Sequence, residues 1–231
     1  MSAFRRCLGA LLLLLPLTAG CKQLLMLPFY LGSPEPTQDA EMHKIADKDK
    51  KKEVRVVILT DTGLEVRPEF IQADKSISRL LAKHLQQLCK ANGENVTVVN
   101  PQKVEEFKDQ NPDWAESHLD LESVGKNFHA DYVVYLEVSD LSMYQPGTCN
   151  QFYQGRANVG IKLVNVKNPD DFSVSPRNLS FTWPPESRGG NRLVDADTPP
   201  QGFRDKFLDA LAKRLAWNFT EKPTRDSYME E

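Results

Sequence analysis

The chain has 231 residues, 40% of them hydrophobic and 26% charged, with a formal net charge of -3. That length carries one ordinary domain with some chain to spare, and the composition is that of a globular protein. A mildly acidic chain whose basic block is confined to Lys48 to Lys52 excludes a charge-driven nucleic-acid binder.

The start of the chain is the most informative stretch. Arg5 and Arg6 supply a positive beginning, and Leu8, Ala10 and Leu11 to Leu15 an apolar core. Leu17-Thr18-Ala19-Gly20-Cys21 closes it with small residues and a cysteine. This pattern predicts a secretory signal peptide over 1–20. Its apolar part is too short to span a bilayer, which needs roughly 20 apolar residues. Pro16, Lys22 and Pro28 also oppose a continuous helix through to Leu31.

The exit resembles a bacterial lipobox, with Ala19, Gly20 and Cys21 in place and Thr18 where Leu is usual. The resemblance implies cleavage between Gly20 and Cys21, a diacylglycerol thioether on the Cys21 thiol and acylation of the new amine. Several acyl chains, at about 0.8 kcal/mol per buried methylene, give durable anchoring. Position 22 is Lys, not the Asp that in some bacteria retains lipoproteins at the inner membrane, which favours the outer membrane. Removal of 1–20 takes away Arg5 and Arg6 and no acid, leaving a mature charge of -5.

Leu24 to Leu31 is apolar and suits either the membrane interface or a patch on the domain. From Gly32 to Glu53 the chain is polar, without an apolar period. Residues 21–53 therefore read as a lipid-anchored N-terminus and flexible tether. The run Lys48 to Lys52 reads as solvated linker, with some attraction to anionic headgroups near a membrane.

Val54 to Thr60 is the first predicted strand, apolar on both faces as in a sheet covered on both sides. Asp74 is the expected N-cap of a helix to about Lys90, with a stripe of Ile77, Leu81, Leu85 or His84, and Leu88. Asn92-Gly93 stops it. Asn95 to Val99 is a second strand. Pro101 starts a short helix to about Asp109, and a further helical stretch is expected from Asp113 to Phe128. Asp131 to Val138 is the strongest strand signal, dense in β-branched and aromatic residues. Gln145 to Thr148 turns the chain into a long alternating strand through Ala157, Val159, Ile161 and Leu163. A shorter strand carries Leu179, Phe181 and Trp183. A polar loop fills Pro184 to Pro200, and a last helix runs from about Gly202 to Phe219 with Phe203, Phe207, Leu211 and Leu215 on one face.

The fold class expected is α/β, a single mixed five-stranded sheet in βαβααβββα order covered by helices. The α/β domain is placed at 54–220 and a flexible tail at 221–231. The apolar run of the first strand, Ser78 to Leu85 on the first helix, Ala130 to Val134 and Gly155-Arg156-Ala157 resemble one known group. It is the domain shared by the Tol translocation protein B N-terminal domain, the curli secretion lipoprotein and the lipoprotein activator of penicillin-binding proteins. The resemblance implies an envelope protein that binds partners or assembles, not an enzyme, and carries no contact residue onto this chain.

The residues offer little chemistry. His43, His84, His118 and His129 lack the close spacing of a zinc site. There is no phosphate loop or nucleophile elbow. Glu137 and Asp140 are the acidic candidates for acid–base work, against a plain strand end. Cys89 and Cys149 could pair in an oxidising compartment, but lie on different predicted elements and read as one buried thiol and one loop thiol. Tyr144, Phe152 and Tyr153 flank the hairpin loop and are either partner anchors or the rim of the core. The expectation is thus a non-catalytic, lipid-anchored envelope protein facing the periplasm. No catalytic residue, metal site or cofactor is assigned. Its partners are the membrane, through Cys21, and envelope proteins; no nucleic acid is expected and no oligomeric state follows. The alternative is a small-molecule or transport-auxiliary binding lipoprotein.

Overall fold

The structure, a computed structural model, describes residues 36–63, 67–111, 120–168, 175–185 and 199–224, with the backbone alone at 192–193. Thr37–Glu231 is one compact unit. Gly20 and Cys21 lie outside the described residues, as do His118 and most of the expected loop at 184–200.

The elements are β1 (Thr37–Gln38), β2 (Val54–Asp61), α1 (Ala73–Ala91), β3 (Val96–Val98), α2 (Pro101–Gln110), α3 (Leu121–Asn127), β4 (Tyr132–Tyr144), β5 (Phe152–Asn165), β6 (Arg177–Trp183), β7 (Arg192–Leu193), α4 (Pro200–Ala216) and β8 (Lys222–Pro223). From β2 to α4 the expected order holds, apart from the two-residue β7. The main sheet runs β3-β2-β4-β5-β6, and β7 pairs with β5 off that path. β2 is parallel to β3 and β4, while β4, β5 and β6 are antiparallel.

Strand order explains the two-sided core. Parallel neighbours need crossovers. α1 joins β2 to β3 on one side, and α2 with α3 joins β3 to β4 on the other. Helices therefore cover opposite faces of β2. Val54, Val56 and Ile58 pack with Ile77, Leu81 and Leu85 of α1 and with Phe203, Phe207, Leu211 and Leu215 of α4. Val57 and Leu59 pack with Val104, Leu121 and Val124 on the opposite face. This is why β2 is apolar on both faces. Gly155 sits where the α4 face comes closest to β5: a Cβ there would lie 2.6 Å from Phe207 Cγ.

Pro101 starts α2 as expected, whereas the helix expected over 113–128 is described only as Leu121–Asn127, with 112–119 outside the described residues. The Asn100 side chain accepts from the Gln102 amide, with Pro101 in the first turn of α2. The Asp120 side chain caps α3 by accepting from the Ser123 amide. The expected cap of α1 is corrected: the helix starts at Ala73, and the cap is Gln72 in left-handed conformation, φ 61°. Asp74 is instead in the first turn and accepts from Lys108 Nζ at 2.9 Å. An acidic residue in a first turn also suits the helix dipole.

The larger correction is at the ends of the domain. Residues 37–53 are not a tether, and the domain does not begin at Val54. β1 pairs antiparallel with β8, Thr37 opposite Pro223 and Gln38 opposite Lys222. The amides of Glu41, Met42 and Ile45 donate to the carbonyls of Trp217, Asn218 and Phe219 at 3.0–3.1 Å. Ile45 is fully buried. Residues 37–45 thus form a strap along the segment that follows α4. Lys222 of the expected tail is buried as well. Residues 225–231 lie outside the described residues.

Candidate functional site

The strap brings charges together. Glu41 Oε2 lies 2.9 Å from guanidinium nitrogens of Arg177 and Arg214, and Oε1 accepts from Lys222 Nζ at 2.7 Å. Burial pushes the Glu41 carboxyl up, but the Lys222 and Arg214 hydrogen bonds and charges hold it below its ordinary range. Lys222 Nζ also sits 4.7 Å from the centre of the Trp217 ring, a cation–π contact. Beside this, Lys44 Nζ lies 2.8 Å from buried Glu94 and also pairs with Glu221. Thr220 donates to Glu94 at 2.9 Å. Both clusters fasten the strap to the C-terminal segment.

The far side of the strap borders a groove of about 520 Å³, lined by His43, Lys44, Asp47, Lys48, Lys50 and Tyr132. It lies where the chain enters β2 and β4, at the N-terminal ends of the parallel strands. The His43 and Tyr132 rings meet at 5.8 Å. Asp47 is engaged by Lys52 Nζ at 2.5 Å and by the Asp49 amide. Lys50 Nζ donates to the Asn92 carbonyl at 2.8 Å. Lys48 and Lys50 are exposed, and neither has a carboxylate within 4.0 Å among the described residues. Sequence reasoning missed this groove. The one signal for the strap beside it was Met42 and Ile45, three apart in a polar run, which pack into the main core.

The expected hairpin anchors separate on folding. Tyr153 is fully buried, so it is not available as a partner anchor. Its ring stacks on Phe203 at 4.5 Å and on Tyr144 at 5.6 Å. Tyr144 and Phe152 are half-buried beside it. The stack forms because Tyr153 at the start of β5 faces α4, and Phe203 of α4 with Trp183 of β6 closes it. Cys149, at the hairpin tip, is exposed, while Cys89 is buried; both are free. Burial pushes the Cys89 thiol up to about 12.

Glu137 and Asp140 lie on an open part of the sheet. α2 and α3 cover the second face over β2, the start of β4 and the end of β5. Beyond them, register places Glu137, Asp140, Asn158, Lys162, Asn178 and Ser180 on one exposed polar surface. Ser180 donates to Asn158 at 2.9 Å. At the edge of this surface burial, with the charges of Asp61 and Glu137, raises the Tyr135 phenol to about 12. It stays protonated at neutral pH.

The C-terminal end of β2 is the switch point where doubly wound sheets place ligands. Here Lys108 closes it, donating to the Thr60 carbonyl, Asp74 and Glu105 at 2.9–3.2 Å. Ser78 donates to Thr60 Oγ1 at 2.8 Å. His84 meets Asp209 of α4 at 2.9 Å, so it bridges two helices at the core boundary. His129 is exposed, with φ 51°. Among the described residues no three His, Cys, Asp or Glu side chains converge on a metal position. No described helix is long and apolar enough to cross a membrane.

No family model matches the chain. No curated protein matches it either. Solved structures do resemble it. The PelC dodecamer from Paraburkholderia phytofirmans is 14% identical, covering 80% of this chain and 97% of its own, with a TM-score of 0.38. Lipoprotein GNA1162 from Neisseria meningitidis is 17% identical over 71% of this chain and 97% of its own, at 0.39. A minor lipoprotein from Acinetobacter baumannii is 12% identical over 70% and 88%, at 0.32. Identities and scores at this level carry no inference to this chain.

Proposed function

We propose that this chain is a lipid-anchored, non-catalytic protein of the bacterial cell envelope that binds, or helps to assemble, an envelope protein complex. The observation that carries the reading is Leu17-Thr18-Ala19-Gly20-Cys21 behind a charged start and a short apolar core. The anchor is Cys21, the domain faces the periplasm, and Lys22 favours the outer membrane. The resemblance to the Tol, curli and penicillin-binding-protein activator group supports a partner-binding role.

Tethering is the mechanism. Residues 22–36, between the anchor and the strap, can span at most about 50 Å at ~3.4 Å per residue. Holding the domain that close to membrane-bound partners raises its effective concentration. The clusters around Glu41, Lys44 and Lys108 are engaged in ion pairs between segments of the domain and so serve to hold the fold. The open polar sheet surface and the hairpin tip are the partner faces we assign.

The test is photo-crosslinking in intact cells from positions 162, 178 and 149, with position 207 in the core as the silent control. Defined adducts at one or more surface positions are expected, and their loss in Cys21→Ser. A Cys21→Ser chain that stays with the membrane would refute the anchor. An intact anchor without adducts from any surface position would refute partner binding.

A further inference from the structure

The groove beside the strap shares only some of its charges with the ion pairs that close the domain. Of its charged residues, Lys44 is spent on Glu94 and Glu221, and Asp47 on Lys52. What remains is Lys48, exposed, and Lys50, also exposed, which donates to the Asn92 carbonyl, feels the charge of Glu221 and has no carboxylate within 4.0 Å among the described residues. The His43 and Tyr132 rings, 5.8 Å apart, line the same groove. A groove of about 520 Å³ lined by two exposed amines and two rings suits a phosphate ester carrying a small organic group. A bare amine pair attracts phosphate as a point charge.

Position in the chain favours one source of that phosphate. His43 follows Cys21 closely in sequence, and the strap carrying it is the first part of the domain after the anchor. The groove therefore lies within chain reach of the headgroups that hold the acyl chains, at a local concentration no soluble phosphate matches. Attraction of juxtamembrane lysines to anionic headgroups acts over about 10 Å.

We propose that this groove takes the phosphate of an anionic phospholipid headgroup, with Lys48 and Lys50 supplying the charge and His43 and Tyr132 lining the groove beside it. The proposal rests on the lipid-anchored reading and adds an orientation to it. Headgroup capture turns the N-terminal end of the parallel strands toward the bilayer and leaves the opposite end, with α2, facing away.

The acylated full-length mature protein is reconstituted in vesicles of phosphatidylcholine, with or without phosphatidylglycerol, and treated with an amine-acetylating reagent. Flotation reads the anchor; mass spectrometry reads each lysine. Lys103 of α2, beyond the C-terminal end of β3, is the reference. Lys48 and Lys50 are expected to react about fivefold more slowly in anionic vesicles, with Lys103 unchanged and protection lost in high salt. Lys48→Gln is expected to remove the protection at Lys50 while flotation is kept. Flotation with equal rates at Lys48, Lys50 and Lys103 in both vesicle types overturns the groove. Equal protection by glycerol phosphate in phosphatidylcholine vesicles overturns the headgroup as its source. Failure to float overturns the anchor instead.

Discussion

Glu41→Gln tests whether the strap belongs to the domain. Gln keeps the size of the side chain and one acceptor but removes the charge that meets Arg177, Arg214 and Lys222. Arg214 and Lys222 keep only 15% and 9% of their side-chain surface exposed, whereas Arg177 keeps 38%. The Arg177 pair is screened by solvent and counts for little. Taking one partner from a fully buried pair costs about 3–5 kcal/mol. Here the carboxylate is still partly wet, Lys222 retains the Trp217 ring, and Gln retains an acceptor. The expected loss is about 2–3 kcal/mol, which lowers Tm by about 5–10 °C for a domain of this size.

Thermal and urea unfolding followed by circular dichroism measure it. pH supplies an internal check. Because the folded Glu41 pKa lies below its ordinary value of 4.5, its contribution is complete above that value and fades as pH falls through the depressed one. Glu41→Gln has no such contribution. The stability gap between wild type and variant should therefore be widest near neutrality and shrink below about pH 4.5. A variant within about 0.5 kcal/mol of wild type, with a gap that does not depend on pH, would mean that 37–45 is detached in solution and that the tether read from the sequence was right.

Three further outcomes rest on the packing. Gly155→Ala puts a Cβ into the Phe207 ring and should cost about 1–3 kcal/mol in urea unfolding, with the larger Gly155→Val worse. Tyr153→Ala removes the centre of the aromatic stack and should cost about 3–5 kcal/mol; a stable variant with lost crosslinks would restore it as a partner anchor. In thiol labelling of the folded domain, Cys149 should react at once. Cys89, with its pKa near 12, should react only after denaturant is added.

Much of the fold was legible because its signals are local. β2 read as a strand covered on both sides because Val54 to Thr60 carries apolar residues on both faces. α1 and α4 showed their stripes at Ile77, Leu81 and Leu85 and at Phe203, Phe207, Leu211 and Leu215. The helix start at Pro101 and the turn at Asn92 act over a few residues. Tyr153 could not be sorted from Tyr144 and Phe152, because a hairpin aromatic is buried or exposed according to what packs above it. That neighbour, Phe203, is fifty residues further on.

By itself, then, the sequence determined the order of strands and helices and the α/β class, and it carries the pattern on which the proposed export signal and lipid site at Cys21 rest. Each rests on short-range patterns of charge, size and periodicity. Only the tertiary structure decided where the domain begins. Residues 37–45 carry no period of their own and are held by carbonyls of Trp217 to Phe219 and by cations on β6, α4 and β8. A polar segment whose partners lie more than 130 residues away looks like linker until the chain closes on itself, because the Glu41 ion cluster and the buried Ile45 exist only after that closure.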